Sequence, residues 1–440
     1  MPQSKQTLRI LVNLPNLSSY QDTYYMFLTM LPNIDVLYIM TTAEQATLHV
    51  KPNEKFALHN DQIPSSILKS TYSRRSSVKQ VYIIPISRRS YAHHASRYLL
   101  KHIDALNLHV IHDMFGHFAR FCQLYFKRSR QFVMLTTLRT TNFGWFQRVK
   151  PLKFTINSHY AGQRILSLWR DDRITRHVDK VVVLGPGHED DVIQGYQVPA
   201  KHITFVPSET DVSLFHPNPK DIGSSHINQY TQSTERYTYH TNTTTSLNLR
   251  YRTPMHCVYT GALTRNKGLH LLLLAFTQVA KKYPQLTLQL IGRHTPFEKV
   301  WMTQAIAKHP LKHRITLTSV LDRLALIPIY QTAHLYLFPS LFEGSPRSLR
   351  EAIACGCVAI ASDIAGCRGI DPQGNFIHFA QMNHLSSLVN TWVKALQEDS
   401  LNYRQRQIRG IQHIQQHHST YAVGQSYLQL YQELLDHHKK

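Results

Sequence analysis

The sequence lacks any apolar run long enough to cross a bilayer. The longest, such as LHLLLLAF (Leu269 to Phe276), fall far short of the ~20 residues a spanning helix needs, so no transmembrane helix is expected. The opening MPQSKQTLRILVNLP has too short an apolar stretch for a secretory signal and no small-residue cleavage site. Cysteine is sparse: the five residues Cys122, Cys257, Cys355, Cys357 and Cys367 are odd in number and without the paired spacing of a zinc site. Reduced, buried thiols and a cytosolic setting follow as expectations. No Walker-type glycine loop is present, which disfavours an NTPase. Acidic residues are outnumbered, 27 against 49 Lys and Arg, for a net charge of +22. Such a surface favours anionic partners: nucleic acid, phosphorylated substrates or an acidic membrane surface. No recognised nucleic-acid-binding motif accompanies the charge, so no specific nucleic-acid partner is expected.

What is present is length, apolar content and rhythm. A chain of 440 residues exceeds the size at which a single core stops growing, and 42% hydrophobic residues can fill two. Short β-branched runs recur with amphipathic stretches between them: LRILVNLP, IDVLYIM, KQVYIIPI, LHVIHDM, QFVMLTTL, DKVVVLG and HITFVP, then HCVYTGAL, LTLQLIG, RITLTSV, AHLYLFP and VAIASDI. Near-continuous apolar strands alternating with helix-length segments predict two doubly wound α/β domains, each a parallel sheet covered on both faces. The expected division is a first domain over 1–217, a polar linker or insertion over 218–254, a second domain over 255–420 and a final helix over 421–440. The insertion is rich in Thr, Asn, Ser and Tyr, without a sustained period. In the final helix Val423, Tyr427, Leu430, Tyr431 and Leu434 fall at helical spacing and predict one buried face.

Two segments carry chemistry. In YLFPSLFEGSPRSLREAIACG (Tyr336 to Gly356) a strand runs into a helix, with Ser345 as the expected N-cap and Pro346 at the first helical position. The amides around Gly344, Ser345 and Pro346 would then face the crevice at the strand ends, where an anion can sit. Glu343 lies on that loop and Glu351 inside the helix. Carboxylates beside a phosphate must face its neutral neighbours, where they accept hydrogen bonds from hydroxyls. A phosphate flanked by two polyhydroxyl groups describes a sugar nucleotide. The bland alternative is a solvated loop charge and a surface helix charge. In VYTGALTRNKGLHLLLLAF a strand is followed by a loop with Gly261, Arg265, Lys267 and Gly268, whose two cations suit a diphosphate.

Taken together, GALTRNKGLHLLLLAF and LFPSLFEGSPRSLREAIACGCVAIASDIAG resemble the group-one retaining glycosyltransferases, whose GT-B fold sets two Rossmann-like domains across a central cleft. In that family two glutamates separated by seven residues mark the donor site, the spacing of Glu343 and Glu351. The resemblance implies that Glu343 lies beside the donor sugar as a catalytic group, that Glu351 contacts the nucleotide ribose, and that Lys267 with a nearby arginine binds the diphosphate. It also implies transfer with retention of configuration, no metal, no cofactor beyond the nucleotide-sugar substrate, and a final helix, YLQLYQELL, crossing back to the first domain. HVDKVVVLGPGHEDDVIQGYQVPAKHITFVPSETDVSLFHP extends the likeness, which is good from Val178 onward outside the insertion and weak before it.

The chain departs from the family pattern in four places. Ala262 stands where an arginine is usual after the glycine, leaving Arg265 as the second cation. Ser208-Glu209 replaces Asn-Gly. VNLPNLSSYQDTYY has no glycine where a glycine-rich loop is expected. Arg139 takes the place of a histidine near the reacting sugar. His112, at the end of LHVIH, is retained as a candidate at the reacting centre. Basic clusters with Arg74, Arg75, Arg88, Arg89, Lys127, Arg128 and Arg130 suit docking on anionic lipid and hence a saccharide or lipid-linked acceptor, in cell-envelope polysaccharide or glycolipid synthesis at the cytoplasmic face of a membrane. The competing readings are a catalytically inactive partner subunit, in which these departures have removed the donor grip, and a sugar-nucleotide epimerase.

Overall fold

The structure, a computed structural model, describes residues 8–16, 22–23, 26–27, 34–49, 68–69, 80–114, 116–118, 121, 131–139, 142–148, 158–218, 255–293 and 296–438. The insertion (219–254) and the clusters around Arg74, Arg75, Lys127, Arg128 and Arg130 lie outside them. Two compact units emerge. One falls within Met1–Gly144, Ile156–Glu209 and Thr420–Lys440, the other within Trp145–Thr155 and Thr210–Ser419.

The first unit is built on an eight-stranded sheet. In chain order its strands are β1 (Leu8–Asn13), β2 (Ile34–Thr42), β3 (Leu68–Lys69), β4 (Gln80–Ile86), β5 (Val110–Asp113), β6 (Val133–Leu138), β7 (Lys180–Val183) and β8 (Ile203–Phe205). Their spatial order is β3-β4-β2-β1-β5-β6-β7-β8, parallel throughout except for the short β3 at one edge. Every apolar run expected as a strand in this half becomes one. Both faces of β1 are covered: Leu11 enters one core, Ile10 and Val12 the other, which explains an apolar run without alternation. The second of these cores is completed by Val423, Tyr427, Leu430 and Tyr431 of the helix Thr420–His438, so this last helix belongs to the first unit.

The second unit holds six parallel strands: β9 (His256–Thr260), β10 (Thr287–Ile291), β11 (Ile315–Thr318), β12 (Leu335–Phe338), β13 (Val358–Ser362) and β14 (Ile377–Ala380), in the order β11-β10-β9-β12-β13-β14. The sequence reading omits β14, whose four residues IHFA are interrupted by a histidine. His378 is tolerated there because it is held near Glu398 at 3.4 Å, while burial lowers its pKa to about 4. Residues 210–217, grouped by sequence with the first domain, pack in the second unit. Thr210 N donates to His418 O at 2.7 Å, and Phe215 is fully buried in the second core. The described cysteines Cys257, Cys355, Cys357 and Cys367 are all buried thiols outside any disulfide. Among the described residues, no helix is long and apolar enough to cross a membrane.

Candidate nucleotide-sugar site in the second unit

The order of the second sheet reverses between β9 and β12, the neighbours that carry the chain outward in opposite directions. Loops leaving the carboxyl ends of two such strands diverge and open a crevice, the usual ligand position in an open α/β sheet. Both motif segments leave from there: Gly261 to Gly268 follows β9, and Pro339 to Pro346 follows β12.

The two loops are fastened to each other. Leu341 N donates to Asn266 O at 3.1 Å. Gly268 has φ +74°, and a Cβ built on it would stand 1.9 Å from Pro339 O, so only glycine lets the turn Arg265–Lys267 come this close before the helix Leu269–Lys282 begins. The short helix Ala365–Arg368 presses on the same point: a Cβ at Gly366 would stand 2.4 Å from Glu343 O. At this convergence Lys267 Nζ donates to Glu343 Oε1 at 2.5 Å, and Ser340 Oγ donates to the same oxygen at 2.7 Å. Both charged side chains are partly exposed, 22% and 15%, so the pair is anchored yet open to a ligand.

The helix after β12 begins one residue later than expected. It spans Arg347–Ala354 with Pro346 at the cap position, and Ser345 makes no cap bond. Arg350 is the reason. It is 2% exposed, donates from one terminal nitrogen to Ser345 Oγ at 2.6 Å and from Nε to Thr210 Oγ1 at 3.0 Å, and so draws the serine hydroxyl away from the helix amides. A buried guanidinium is tolerated when such partners satisfy it.

Glu351 is buried in that helix, with its carboxylate 3.4 Å from Arg323 and 3.7 Å from Arg347. Arg323 in turn lies over the Phe215 ring at 4.9 Å. The surface-charge reading of Glu351 is thereby corrected: it is 4% exposed. Arg265 does not join Lys267 in a shared contact. Its guanidinium lies 5.0 Å above the Trp301 ring, near Glu298, whose pKa burial raises. Ala262, where the family pattern has arginine, is exposed.

In the first unit His112 is corrected to a core residue. It is fully buried, with Nδ1 2.6 Å from Tyr431 Oη and Nε2 2.7 Å from Thr137 Oγ1. Burial, aided by the Arg139 charge, lowers its pKa to about 3, so the ring is neutral and both its nitrogens are engaged by hydroxyls. Two of the departures from the family pattern meet here. Arg139 donates to Thr23 Oγ1 at 2.6 Å and lies 3.4 Å from Glu209, which also accepts from Thr23. Arg139 and Glu209 therefore compensate one another's burial. Asn13 and Asp113, at the ends of β1 and β5, are joined by a 2.8 Å hydrogen bond at the strand-order reversal of the first sheet.

Sequence reasoning missed Arg323, Arg350, Thr210 and Gly366. Arg323 had one local signal, the N-cap Asp322 that starts its helix, whose carboxylate accepts from Ala325 N at 2.8 Å. The others gain their roles only by long-range contact.

Comparison with known proteins agrees with this architecture. Residues 248–407 match the model of the family "Glycosyl transferases group 1". A glycogen synthase of Mycobacterium tuberculosis is 26% identical over 113 residues, 26% of this chain, so the match spans about a quarter (27%) of that relative's length. Among solved structures, a sucrose-phosphate synthase from Thermosynechococcus elongatus superposes with a TM-score of 0.66 at 17% identity, covering 98% of this chain and 99% of that one. HepE of Anabaena in complex with UDP and glucose gives 0.64 at 14%, covering 97% and 100%. An E. coli protein described as trehalose-6-phosphate bound with UDP-2-fluoro glucose gives 0.61 at 11%, covering 96% and 98%. At these identities the structural likeness establishes the fold. Residues 248–407 thus match the group 1 glycosyltransferase family, and the chain has a GT-B fold.

Proposed function

We propose that the protein transfers a sugar from a nucleotide-diphosphate sugar to a saccharide or lipid-linked acceptor, with retention of anomeric configuration. The observation that carries this reading is the Lys267–Glu343 pair, 2.5 Å apart and partly exposed where the loops after β9 and β12 meet the short helix Ala365–Arg368. Lys267 meets the diphosphate, together with the amides around Gly344 and Ser345. Negative charge grows on the diphosphate as its bond to the sugar breaks, and a preorganised cation there lowers the barrier. Glu343, oriented by Lys267 and Ser340, accepts hydrogen bonds from the donor sugar. Glu351, held by Arg323 and Arg347, accepts from the ribose. Arg265 supplies the second cation if it leaves Trp301. Uridine diphosphate sugars are the first donors to try, because HepE and the E. coli protein were solved with UDP or a UDP sugar.

A cytoplasmic enzyme of envelope polysaccharide or glycolipid synthesis, working at an anionic membrane surface, fits the +22 charge. Exposed Ile165 and Trp169 on the helix Ser158–Thr175, with Arg173 5.1 Å from the Trp169 ring, support this placement. The second reading, an inactive partner subunit, is favoured by one observation: Arg265 is engaged on Trp301 while Ala262 offers no replacement.

Calorimetric titration with uridine, guanosine and adenosine diphosphate sugars tests the proposal, comparing the intact protein with Lys267→Ala and Glu351→Ala. Saturable binding of one nucleotide, weakened by both substitutions, is expected. A folded protein that binds none of them is the partner subunit.

A further inference from the structure

Outside the donor site, the first unit carries a second concavity. A groove of about 640 Å³ opens between the end of β4 and the helix Tyr91–Leu106, within the size range of small-ligand pockets, roughly 300–1,000 Å³. The β4 side contributes Pro85 and Ile86, and the helix adds the apolar Leu100. The helix wall also presents His94, Arg97, Tyr98, Lys101 and His102, which recur at helical spacing and therefore share one face.

The charge on that wall is one-sided. Among the described residues lining the groove there is no carboxylate. Arg97 and Lys101 are a like-charged pair four residues apart, an arrangement that destabilises a helix. The Tyr98 and His102 rings lie 4.5 Å apart between centroids, tilted by 44°, and burial followed by the Lys101 charge lowers the His102 pKa. Cations gathered along one wall of an open groove raise a positive potential there, and an anion seated between them relieves their repulsion. Arg97 offers a planar fork for two oxygens and Lys101 a point charge, a combination suited to phosphate. Tyr98 adds a hydroxyl and a flat apolar ring beside them.

We propose that this groove binds a phosphate-bearing ligand, a phosphomonoester or diphosphate, through Arg97, Lys101 and the flanking histidines His94 and His102. The site lies on an element separate from Lys267 and Glu343, so it serves a second phosphorylated molecule or a phospholipid headgroup and does not depend on the donor reading.

The test uses the full chain and two probes: inorganic pyrophosphate by calorimetry, and phosphatidylcholine vesicles with or without phosphatidic acid by co-sedimentation. Saturable binding of at least one probe is expected, weakened by salt and by about tenfold or more in an Arg97→Gln/Lys101→Gln double variant. Both side chains are exposed, so the variant should melt at the wild-type temperature and keep its nucleotide-sugar binding. Pyrophosphate alone marks a soluble phosphorylated ligand, and phosphatidic acid alone marks a lipid headgroup. The proposal is overturned if neither probe binds, if the double variant binds as the wild type does, or if Lys267→Ala alone abolishes pyrophosphate binding.

Discussion

Lys267 and Glu343, 76 residues apart in the chain, share a 2.5 Å hydrogen-bonded ion pair that ties the loop after β9 to the loop after β12. Neither side chain is deeply buried, so the pair adds little to stability; its value lies in placing a cation and a carboxylate side by side. Lys267→Ala is expected to lower kcat/KM for the nucleotide sugar roughly 100-fold while leaving the melting temperature nearly unchanged. Steady-state kinetics beside a thermal melt check both halves. A large drop in melting temperature with activity retained would make the pair structural.

Gly268→Ala attacks the same convergence through the backbone. The added methyl meets Pro339 O, and φ +74° is a conformation that alanine adopts only with strain. A loss of about 2 kcal/mol or more is expected in denaturant unfolding, with donor affinity falling alongside. Unfolding indistinguishable from wild type would show that the loops are not locked.

Arg350 links Ser345 to Thr210 from a position 2% exposed. In Arg350→Met the aliphatic stem remains while the hydroxyl partners lose their donor, for a cost of about 2 kcal/mol. Arg350→Lys, with one point charge in place of a fork, is expected to recover only part of it. Guanidinium melts of the two variants measure the difference, and full recovery by lysine would refute the two-partner geometry.

The His112 environment predicts a pH dependence. Its pKa in the folded protein is about 3, below the ordinary 6.5, so its stabilising contribution is present above pH 6.5 and is lost as pH falls toward 3. Between pH 7 and pH 5 that loss amounts to about 2 kcal/mol. Asp171 acts oppositely, because burial raises its pKa from 3.8 to about 6 and the folded state takes up a proton first as pH falls. Comparing wild type with His112→Asn therefore isolates the histidine. The variant should lose less stability than wild type over this interval; an equal loss would mean the ring is not held neutral.

The Arg139–Glu209 pair predicts coupling between two departures from the family pattern. Glu209 is 6% exposed, so Arg139→Gln leaves a buried carboxylate short of a cation. Adding Glu209→Gln should restore part of the lost stability, with a coupling of about 1 kcal/mol in a double-mutant cycle. Additive effects would show that each residue is held independently.

The strands were legible because burial on both faces of a parallel sheet leaves a local mark, a short continuous run of β-branched and aliphatic residues. All twelve runs read this way became strands, whereas β14 escaped because His378 breaks its run and is accommodated only on folding, by burial that lowers its pKa and by Glu398 3.4 Å away, from later in the chain. The glutamate pair and the Lys267 loop were legible for a similar reason: their chemistry is written in residue types at close spacing. Partnership was not. His112 looked like a strand-end histidine facing a ligand, and only the arrival of Tyr431 from the last helix made it a core residue. For Glu351 the sequence left a surface charge as the alternative to a ribose contact, and only Arg323, 28 residues away, shows the carboxylate paired and buried. The sequence alone determined twelve of the fourteen described strands and which residue types carry charge, since these depend on neighbours a few positions apart. The tertiary structure decided which of those charges are buried, what each one faces and which loops meet at Glu343, because those outcomes depend on contacts between residues that only folding brings together.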